Sequence, residues 1–211
     1  MNVKNIQDKI IVMLSKNNIT RKIPIINYYF KDQRKRDYLN DWVKPEGKNY
    51  RLGVYERQKK NGIQPLSSNP TAVEIKDVLS PYQPDLVLEA GCGWGRLMEE
   101  IEDEYRVEGF DISDDMLKLC PRHLKVFKLD IVKPSKKFLQ NNKNHWDVIF
   151  TRGVMLYFMD YPDQMREAMG NMLKLAKKKI IFWEWPEVCD RMRKMSKNKK
   201  FEYQHIEHRS E

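Results

Sequence analysis

The sequence lacks the features that mark membrane-spanning and disulfide-bonded proteins. Its longest purely apolar runs, residues 10–14 and 180–183, are far shorter than the roughly 20 residues that a membrane helix needs. Lys4, Asp8 and Lys9 interrupt the first apolar stretch, so no secretory signal is expected. The chain has only three cysteines, with no Cys-x-x-Cys pair: Cys92, Cys120 and Cys189. We therefore predict a cytoplasmic protein with reduced thiols and neither a disulfide framework nor a cysteine zinc site.

Acidic residues are scarce in one part of the chain. The 211 residues include 39 Lys and Arg against 30 Asp and Glu, a formal charge of +9. Residues 1–70 hold 15 basic against 6 acidic residues, residues 71–185 hold 17 against 19, and residues 186–211 hold 7 against 5. A basic N-terminal third beside a near-neutral middle indicates either an anionic partner or a solvated helical extension.

Hydrophobic spacing divides the chain into an extension, a core and a tail. Apolar residues three and four apart predict helices over residues 3–13 and 31–42. Residues 53–70 contain two glycines and two prolines, which predicts a long connection. We therefore assign residues 1–70 to a basic helical extension or lid, 71–185 to the core and 186–211 to a basic C-terminal segment.

The core alternates between strand and helix. Strands are expected at residues 86–88, 106–110, 124–129, 146–150 and 180–185, with helices at 72–79, 114–119 and 164–177. Because parallel neighbours must be joined across a face of the sheet, this order predicts an α/β fold. We expect a Rossmann-like, doubly wound, mostly parallel sheet. Only residues 201–206 remain for a sixth strand, so its C-terminal edge is expected to be shortened.

A glycine-rich stretch follows the first core strand. Residues 88–96 read Leu-Glu-Ala-Gly-Cys-Gly-Trp-Gly-Arg. Alternate glycines let the backbone turn tightly and approach a ligand, while the next helix presents free N–H groups. The dinucleotide fingerprint needs a last glycine where Arg96 stands, which argues against a nicotinamide or flavin enzyme. Trp94 and Arg96 either face the ligand or pack on the sheet, and the alternative for the whole stretch is a ligand-free turn.

This stretch and three later fragments resemble the class I S-adenosylmethionine-dependent methyltransferases, whose first motif reads acid-x-Gly-x-Gly-x-Gly. The likeness covers about residues 71–185. It implies S-adenosylmethionine as the cofactor and transfer of its sulfonium methyl group by in-line displacement. It also implies that the first motif binds this cofactor through Glu89, Gly91, Cys92, Gly93 and Gly95.

The resemblance implies cofactor roles for the ends of three further strands. Asp111, with Ile112, stands 22 residues after Glu89 and resembles the acid that binds both ribose hydroxyls. Asp130 resembles the acid that accepts the adenine amino group, with Ile131 against the ring. The fourth motif places Thr151 and Arg152 under the methionine part of the cofactor. Taken alone, Asp111 also suits a helix cap, and Asp130 an ordinary strand-end acid.

The acceptor side is less defined. Ligands of open α/β sheets gather at the carboxyl ends of the strands, which selects four aromatic residues as pocket candidates. Packing against the N-terminal helices is the alternative for each of them: Tyr157, Tyr161, Trp183 and Trp185. Glu184 and His145 are the candidate general bases, although an amine or thiolate acceptor needs none.

Two specialised branches of the family lack their signatures here. Residues 151–153 read Thr-Arg-Gly, without the Asn/Asp-Pro-Pro-aromatic tetrad of enzymes that methylate planar amino groups. The Pro-Cys nucleophile of cytosine-5 enzymes is also missing, since Cys120 precedes Pro121 in another loop. A metal site is not predicted, because the cluster that suggests one reads equally well as a polar terminal segment: Glu202, His205, Glu207 and His208.

Two functions are compatible with these residues and patterns. The first is methylation of a small molecule held under the N-terminal helices, which we favour because no RNA-binding module is recognisable. The second is methylation of RNA or another nucleic acid, guided by the basic residues of segment 1–70 and of segment 191–200. A protein that binds the cofactor without methyl transfer is a third possibility. The sequence predicts no membrane partner and leaves the oligomeric state open.

Overall fold

The structure, a computed structural model, describes residues 44, 48–60 and 72–205. The helices expected over residues 3–13 and 31–42 lie outside this part of the chain. The first described helix is α1 (Lys48–Lys60). Residues 53–60 are therefore helical, and the prediction of a long connection over residues 53–70 was wrong for this part. Gly53 is exposed, and nothing lies within 4 Å of the position a Cβ would take. This glycine therefore marks no turn, and contacts between α1 and the core outweigh its weak helix propensity.

Six parallel strands form one sheet in the described part of the chain. They are β1 (Leu86–Ala90), β2 (Arg106–Asp111), β3 (Lys125–Lys128), β4 (Trp146–Arg152), β5 (Ala176–Glu184) and β6 (Phe201–His205). Their order is β3-β2-β1-β4-β5-β6, and each neighbouring pair is parallel. This confirms the predicted Rossmann-like α/β fold. The strand order reverses between β1 and β4, the point at which such sheets bind ligands beyond their carboxyl ends.

Helices cover both faces of this sheet. They are α2 (Ala72–Leu79), α3 (Arg96–Ile101), α4 (Asp114–Leu117), α5 (Lys136–Asn141), α6 (Pro162–Leu175) and α7 (Pro186–Met195), with 3-10 turns at Ser80–Tyr82 and Met155–Phe158. Side chains of β1 alternate between two apolar clusters, as the pleat of a strand requires. Leu86 and Leu88 pack with residues of α6 and α7, whereas Val87 packs with residues of α2 and α3.

The C-terminal segment forms a further helix and strand of the sheet. Helix α7 buries Val188, Cys189 and Met192, and β6 pairs in parallel with β5, with Phe201 opposite Ile180. The expected sixth strand is therefore present, and it extends the sheet through a helical connection. Strand β5 begins at residue 176, earlier than the expected 180, because Ala176 already pairs with Trp146. Across residues 44, 48–60 and 72–205, no helix has both the length and the apolar character needed to cross a membrane.

Candidate active site

The glycine loop connects β1 to α3 and is held against β2. The N–H groups of Gly91 and Cys92 both donate to the carbonyl oxygen of Phe110, at 2.8 and 2.9 Å. Gly91 has a φ of +79°, a left-handed conformation that side chains disfavour. A Cβ at this position would also lie closer than 3.0 Å to Cγ2 of Val154, in the loop after β4. Backbone conformation and space together therefore require glycine at position 91.

Two strand-end carboxylates face the same cavity as this loop. Asp111 ends β2, and its two carboxylate oxygens accept the N–H groups of Gly93 at 2.9 Å and Ser113 at 2.8 Å. Burial raises the pKa of Asp111, and these backbone N–H groups partly oppose the shift. Asp130 follows β3 and accepts the N–H of Val132 at 2.9 Å. Each carboxylate oxygen has two lone pairs, so both residues retain acceptor capacity for a ligand.

Glu89 supplies a third carboxylate at the centre of the sheet. Its residue is 4% exposed, and Oε2 has no hydrogen-bond partner among the described residues. Burial raises the pKa of Glu89 well above its ordinary value, while the charges of Arg96 and Arg152 oppose the shift. A buried acceptor without a partner is costly, and a ligand cation or N–H donor would satisfy it.

These groups surround a cavity of about 310 Å³ at the carboxyl ends of the strands, within the range of about 300–1,000 Å³ for ligand sites. Eleven residues singled out in the sequence line it: Glu89, Gly91, Cys92, Gly93, Asp111, Ile112, Asp130, Ile131, Arg152, Tyr157 and Trp185. Trp94 and Arg96, left undecided from the sequence, line it too. Further lining residues are hydrophobic positions to which the sequence assigned no role, among them Leu97, Met116, Val154, Leu156 and Phe158.

Several other candidates do not line the cavity. Gly95 faces Leu124 and Cys120 behind the loop, and Thr151 is wholly buried within β4. Trp183 packs in the apolar cluster on the α2 and α3 face, because successive side chains of a strand point to opposite faces. Tyr161 stands immediately before α6, away from the cavity lining.

The two candidate bases lie elsewhere. His145 is exposed and precedes β4, so it lies at the amino ends of the strands, opposite the cavity. Glu184 ends β5 but is wholly buried, and its Oε1 accepts the N–H groups of Val154 at 2.8 Å and Met155 at 2.9 Å. Burial raises the pKa of Glu184 to about 8. Glu184 thus anchors the loop after β4, and neither residue reaches the cavity as a base.

Helix α1 packs against α4 and the glycine loop at one side of the cavity. Arg51 is 3% exposed and its Nη2 lies 2.5 Å from Oδ2 of Asp115 in α4. The ring of Tyr55 meets Trp94, a cavity residue, edge to face with centroids 5.4 Å apart. The described part of the predicted lid segment therefore contacts the glycine loop directly.

The C-terminal cluster that raised a metal alternative is engaged in other contacts. Glu202 hydrogen-bonds Tyr82 and Gln204, and His205 contacts Arg193. Glu207 and His208 lie outside the described residues. Within the described ranges, no group of three or more His, Cys, Asp or Glu side chains is arranged to hold a metal ion.

Together, fold and site define a class of protein. A parallel sheet whose first strand leads through three glycines into a helix, with carboxylates ending the next two strands, is the arrangement of the class I S-adenosylmethionine-dependent methyltransferases. The carboxylate acceptors of the cavity suit this cofactor. The unpartnered Oε2 of Glu89 can accept a hydrogen bond from its ammonium group, and the two oxygens of Asp111 can accept from its ribose diol. At position 91, the space that a side chain would need is already filled by Val154.

Comparison with known proteins leads to the same class. Residues 87–179 match the family model of the methyltransferase domain. The fold is similar to that of an amino pentose methyltransferase from Micromonospora echinaspora, solved with S-adenosylmethionine bound and involved in calicheamicin biosynthesis. That match has 19% sequence identity and a TM-score of 0.50, and it covers 64% of this chain and 58% of the other. The chain thus spans somewhat more than half of that protein's length.

Two further solved structures are similar. One is a putative S-adenosyl-L-methionine-dependent methyltransferase from Methanococcus maripaludis, with 14% identity, a TM-score of 0.47 and 70% of each chain covered. The other is a sugar N-methyltransferase from a Streptoalloteichus species, with 14% identity, a TM-score of 0.49, and 64% of this chain and 55% of the other covered. No curated protein sequence matches the chain. Residues 87–179 thus match a methyltransferase domain, and the fold is similar to that of a methyltransferase solved with S-adenosylmethionine bound, in agreement with the predicted class and cofactor.

Proposed function

We propose that the protein transfers the methyl group of S-adenosylmethionine to a nucleophilic atom of a small-molecule acceptor. The observation that carries this proposal is the continuity of the cavity. Its lining runs from Asp130 after β3, past the glycine loop, to Tyr157 and Trp185 beyond β4 and β5. One cavity thus extends from the proposed cofactor residues to the carboxyl ends of β4 and β5.

The residues on the β1, β2 and β3 side are suited to hold the cofactor. Asp111 would accept the two ribose hydroxyls and Asp130 the adenine amino group, with Ile112 and Ile131 against the apolar ring. The unpartnered Oε2 of Glu89 would accept the ammonium group. When bound, the cofactor supplies an electrophilic methyl group on a sulfonium. The protein's own task is to orient the acceptor against it and to exclude water.

No general base is assigned on the acceptor side. Glu184 serves the backbone of the loop after β4, and His145 lies at the opposite edge of the sheet. Tyr157 is the lining residue with a hydroxyl group on this side. An acceptor that needs little help with proton removal, such as an amine or a thiolate, therefore fits the described lining best.

Two of the six basic residues in segment 191–200 make contacts within the fold. Arg193 lies over the ring of Tyr203 at 4.9 Å and pairs with Asp190, while Nζ of Lys200 donates to the carbonyl oxygen of Ala176 at 2.8 Å. Lys194, Lys197 and Lys199 are exposed, so this segment does not decide between a small acceptor and nucleic acid. The amino pentose activity named for the Micromonospora protein is in line with a small acceptor for this chain. A cytoplasmic location stays a prediction.

Calorimetry with S-adenosylhomocysteine tests whether the protein binds the proposed cofactor. We expect Asp130→Asn to weaken binding by about tenfold, since it removes one acceptor for the adenine amino group yet keeps an oxygen for Val132. Asp114→Asn, in an exposed residue of α4, is the matched control and should bind as the wild type does. Wild-type protein that gives no binding heat would contradict the proposal.

Methyl transfer from labelled S-adenosylmethionine tests whether the acceptor is a small molecule. We expect label in a metabolite extract of small molecules and none in total RNA at low salt. Labelled RNA with an unlabelled metabolite fraction would instead establish the nucleic-acid alternative. Binding of the cofactor product without transfer to either fraction would favour a binding-only protein.

A further inference from the structure

Two of the three cysteines lie beside each other at the glycine loop. Cys92 is in the loop and lines the cavity, whereas Cys120 follows α4 and lies behind the loop, against Gly95. The carbonyl oxygen of Gly93 lies 3.5 Å from Sγ of Cys120 and 3.9 Å from Sγ of Cys92. A hydrogen bond also joins the two thiols, which are both free. Two thiols from different segments of the chain therefore meet within hydrogen-bond reach of each other.

The two cysteines differ in how firmly they are held. The N–H of Cys92 donates to the carbonyl oxygen of Phe110 at 2.9 Å. The Cys92 side chain lies against the backbone of β2, because a Cβ added at Gly109 would be 2.9 Å from its Sγ. Cys120 lies in the short connection between α4 and β3 and is half-buried. Cys92 is thus the fixed and buried member of the pair, and Cys120 is the more accessible one.

The hydrogen bond between the thiols makes them unequal in reactivity. It lowers the pKa of Cys120, and burial partly opposes this shift. It raises the pKa of Cys92, and burial adds to that shift. Because the thiolate is the form that attacks an oxidant, Cys120 should react first and Cys92 second.

We propose that Cys92 and Cys120 form an oxidative modification site, where hydrogen peroxide converts the thiol pair to a disulfide that weakens cofactor binding. The Cys120 thiolate attacks one peroxide oxygen and the O–O bond breaks. The second oxygen leaves as hydroxide, which the proton released from Cys120 converts to water. The sulfur of Cys92 then attacks the sulfenic acid, the S–O bond breaks, and the hydroxyl group leaves with the Cys92 proton as water. The thiol pair is oxidised and the peroxide is reduced to water.

The disulfide would join the two segments that the carboxylate of Asp111 holds in place. One oxygen of Asp111 accepts the N–H of Gly93 in the glycine loop, and the other accepts the N–H of Ser113, which caps α4. Disulfide sulfurs are about 2.05 Å apart, closer than two hydrogen-bonded thiols, so the loop or the end of α4 must move. Either movement disturbs Asp111. The effect on binding rests on the proposed function, in which Asp111 accepts the ribose hydroxyls.

Peptide mapping tests the disulfide itself. Trypsin cleaves after Arg96, Arg106 and Lys118, so Cys92 and Cys120 fall in different peptides. The protein is treated with hydrogen peroxide, and its remaining thiols are then capped with iodoacetamide under denaturing conditions. We expect mass spectrometry without reductant to find the two peptides linked, and dithiothreitol to separate them. Unlinked peptides, or a link between two Cys120 peptides from different copies of the chain, would overturn the proposal.

Calorimetry with S-adenosylhomocysteine tests the effect of the disulfide on cofactor binding. Oxidised wild-type protein should bind at least about tenfold more weakly than reduced protein, because the hydrogen bonds of Asp111 are disturbed. Dithiothreitol should restore binding, and since it does not reverse methionine sulfoxide, the recovery assigns the loss to the disulfide. Cys120→Ser should bind as the reduced wild type does and show no loss that dithiothreitol reverses. The matched control Cys189→Ser keeps both thiols of the pair and should respond as the wild type does.

The outcomes separate this inference from the proposed function. Reduced wild-type protein without binding heat would contradict the cofactor site, while peptide mapping would still decide whether the disulfide forms. Linked peptides with unchanged affinity would overturn the effect on binding. A loss in Cys120→Ser that dithiothreitol reverses would overturn the assignment to this pair. If a serine variant fails to fold, the reversal in the wild-type protein carries the test.

Discussion

Replacement of Gly91 with alanine measures how tightly the glycine loop packs against the loop after β4. The added Cβ would lie closer than 3.0 Å to Cγ2 of Val154. Val154 has little freedom to withdraw, because its N–H donates to the buried carboxylate of Glu184 at 2.8 Å. The left-handed backbone adds a cost of about 1–2 kcal/mol for any residue with a Cβ. Overpacking adds about 1–3 kcal/mol, so we expect the free energy of unfolding to fall by about 2–5 kcal/mol.

Gly93→Ala provides a control within the same loop. Gly93 also has a positive φ, +56°, but the nearest atom to an added Cβ is Cε of Met116 at 3.6 Å, an ordinary contact. This variant should lose only the backbone contribution of about 1–2 kcal/mol. The difference between the two variants isolates the contact with Val154. Val154→Ala in the Gly91→Ala background removes Cγ2 and should restore part of the loss.

Urea unfolding and thermal melting are the assays. For a chain of this size, about 1 kcal/mol corresponds to roughly 2–4 °C in Tm, which puts Gly91→Ala roughly 4–20 °C below the wild type. Equal losses in Gly91→Ala and Gly93→Ala would refute the packing argument. A double variant no more stable than Gly91→Ala alone would refute the role assigned to Val154.

Buried ionisable side chains lead to the remaining predictions. Glu184→Ala should lower the free energy of unfolding by about 2–5 kcal/mol in urea, because two buried N–H groups lose their acceptor, and Glu184→Gln should lose much less. Since burial raises the pKa of Glu184 from 4.5 to about 8, the folded state binds its proton more tightly, so stability from this group falls as pH rises between those values. Glu184→Gln should flatten that part of the stability profile, and an unchanged slope would contradict the assignment. Cys120 is half-buried and a hydrogen bond with Cys92 lowers its pKa, whereas burial raises the pKa of Cys189 to about 11. Iodoacetamide should therefore modify Cys120 first by mass spectrometry, and equal labelling of Cys189 would refute this.

The proposed cofactor side of the cavity could be predicted from sequence, because a family resemblance names its residues and backbone rules bring them together. Alternate glycines mark a turn between strand and helix, and residues that end parallel strands meet at one edge of the sheet. Glu89, Asp111 and Asp130 follow these rules and line one cavity. The same rule, applied to His145, would have excluded it as a base, since a residue that precedes a strand lies at the amino edge.

The proposed acceptor side could not be located in the same way, because it depends on side-chain direction and on contacts distant in sequence. Trp183 and Trp185 are two residues apart, yet the first ends in the core and the second lines the cavity after the strand has ended. Helix α1 was missed because its formation depends on contacts such as that between Arg51 and Asp115, 64 residues apart. Gly53 suggested a connection rather than a helix, and nothing in the sequence around it indicates the contact between Arg51 and Asp115.

The loop after β4 connects the two sides of the cavity, which affects how any variant there must be interpreted. Val154 packs against the position of Gly91 on the proposed cofactor side, while Leu156 and Tyr157 follow it along the cavity wall. The carboxylate of Glu184 fixes the start of this segment by accepting the N–H groups of Val154 and Met155. A displacement at Gly91 is therefore transmitted to the acceptor side through Val154. Reduced methyl transfer in Gly91→Ala would not by itself assign a ligand contact to Gly91, and recovery in the Gly91→Ala, Val154→Ala double variant separates packing from binding.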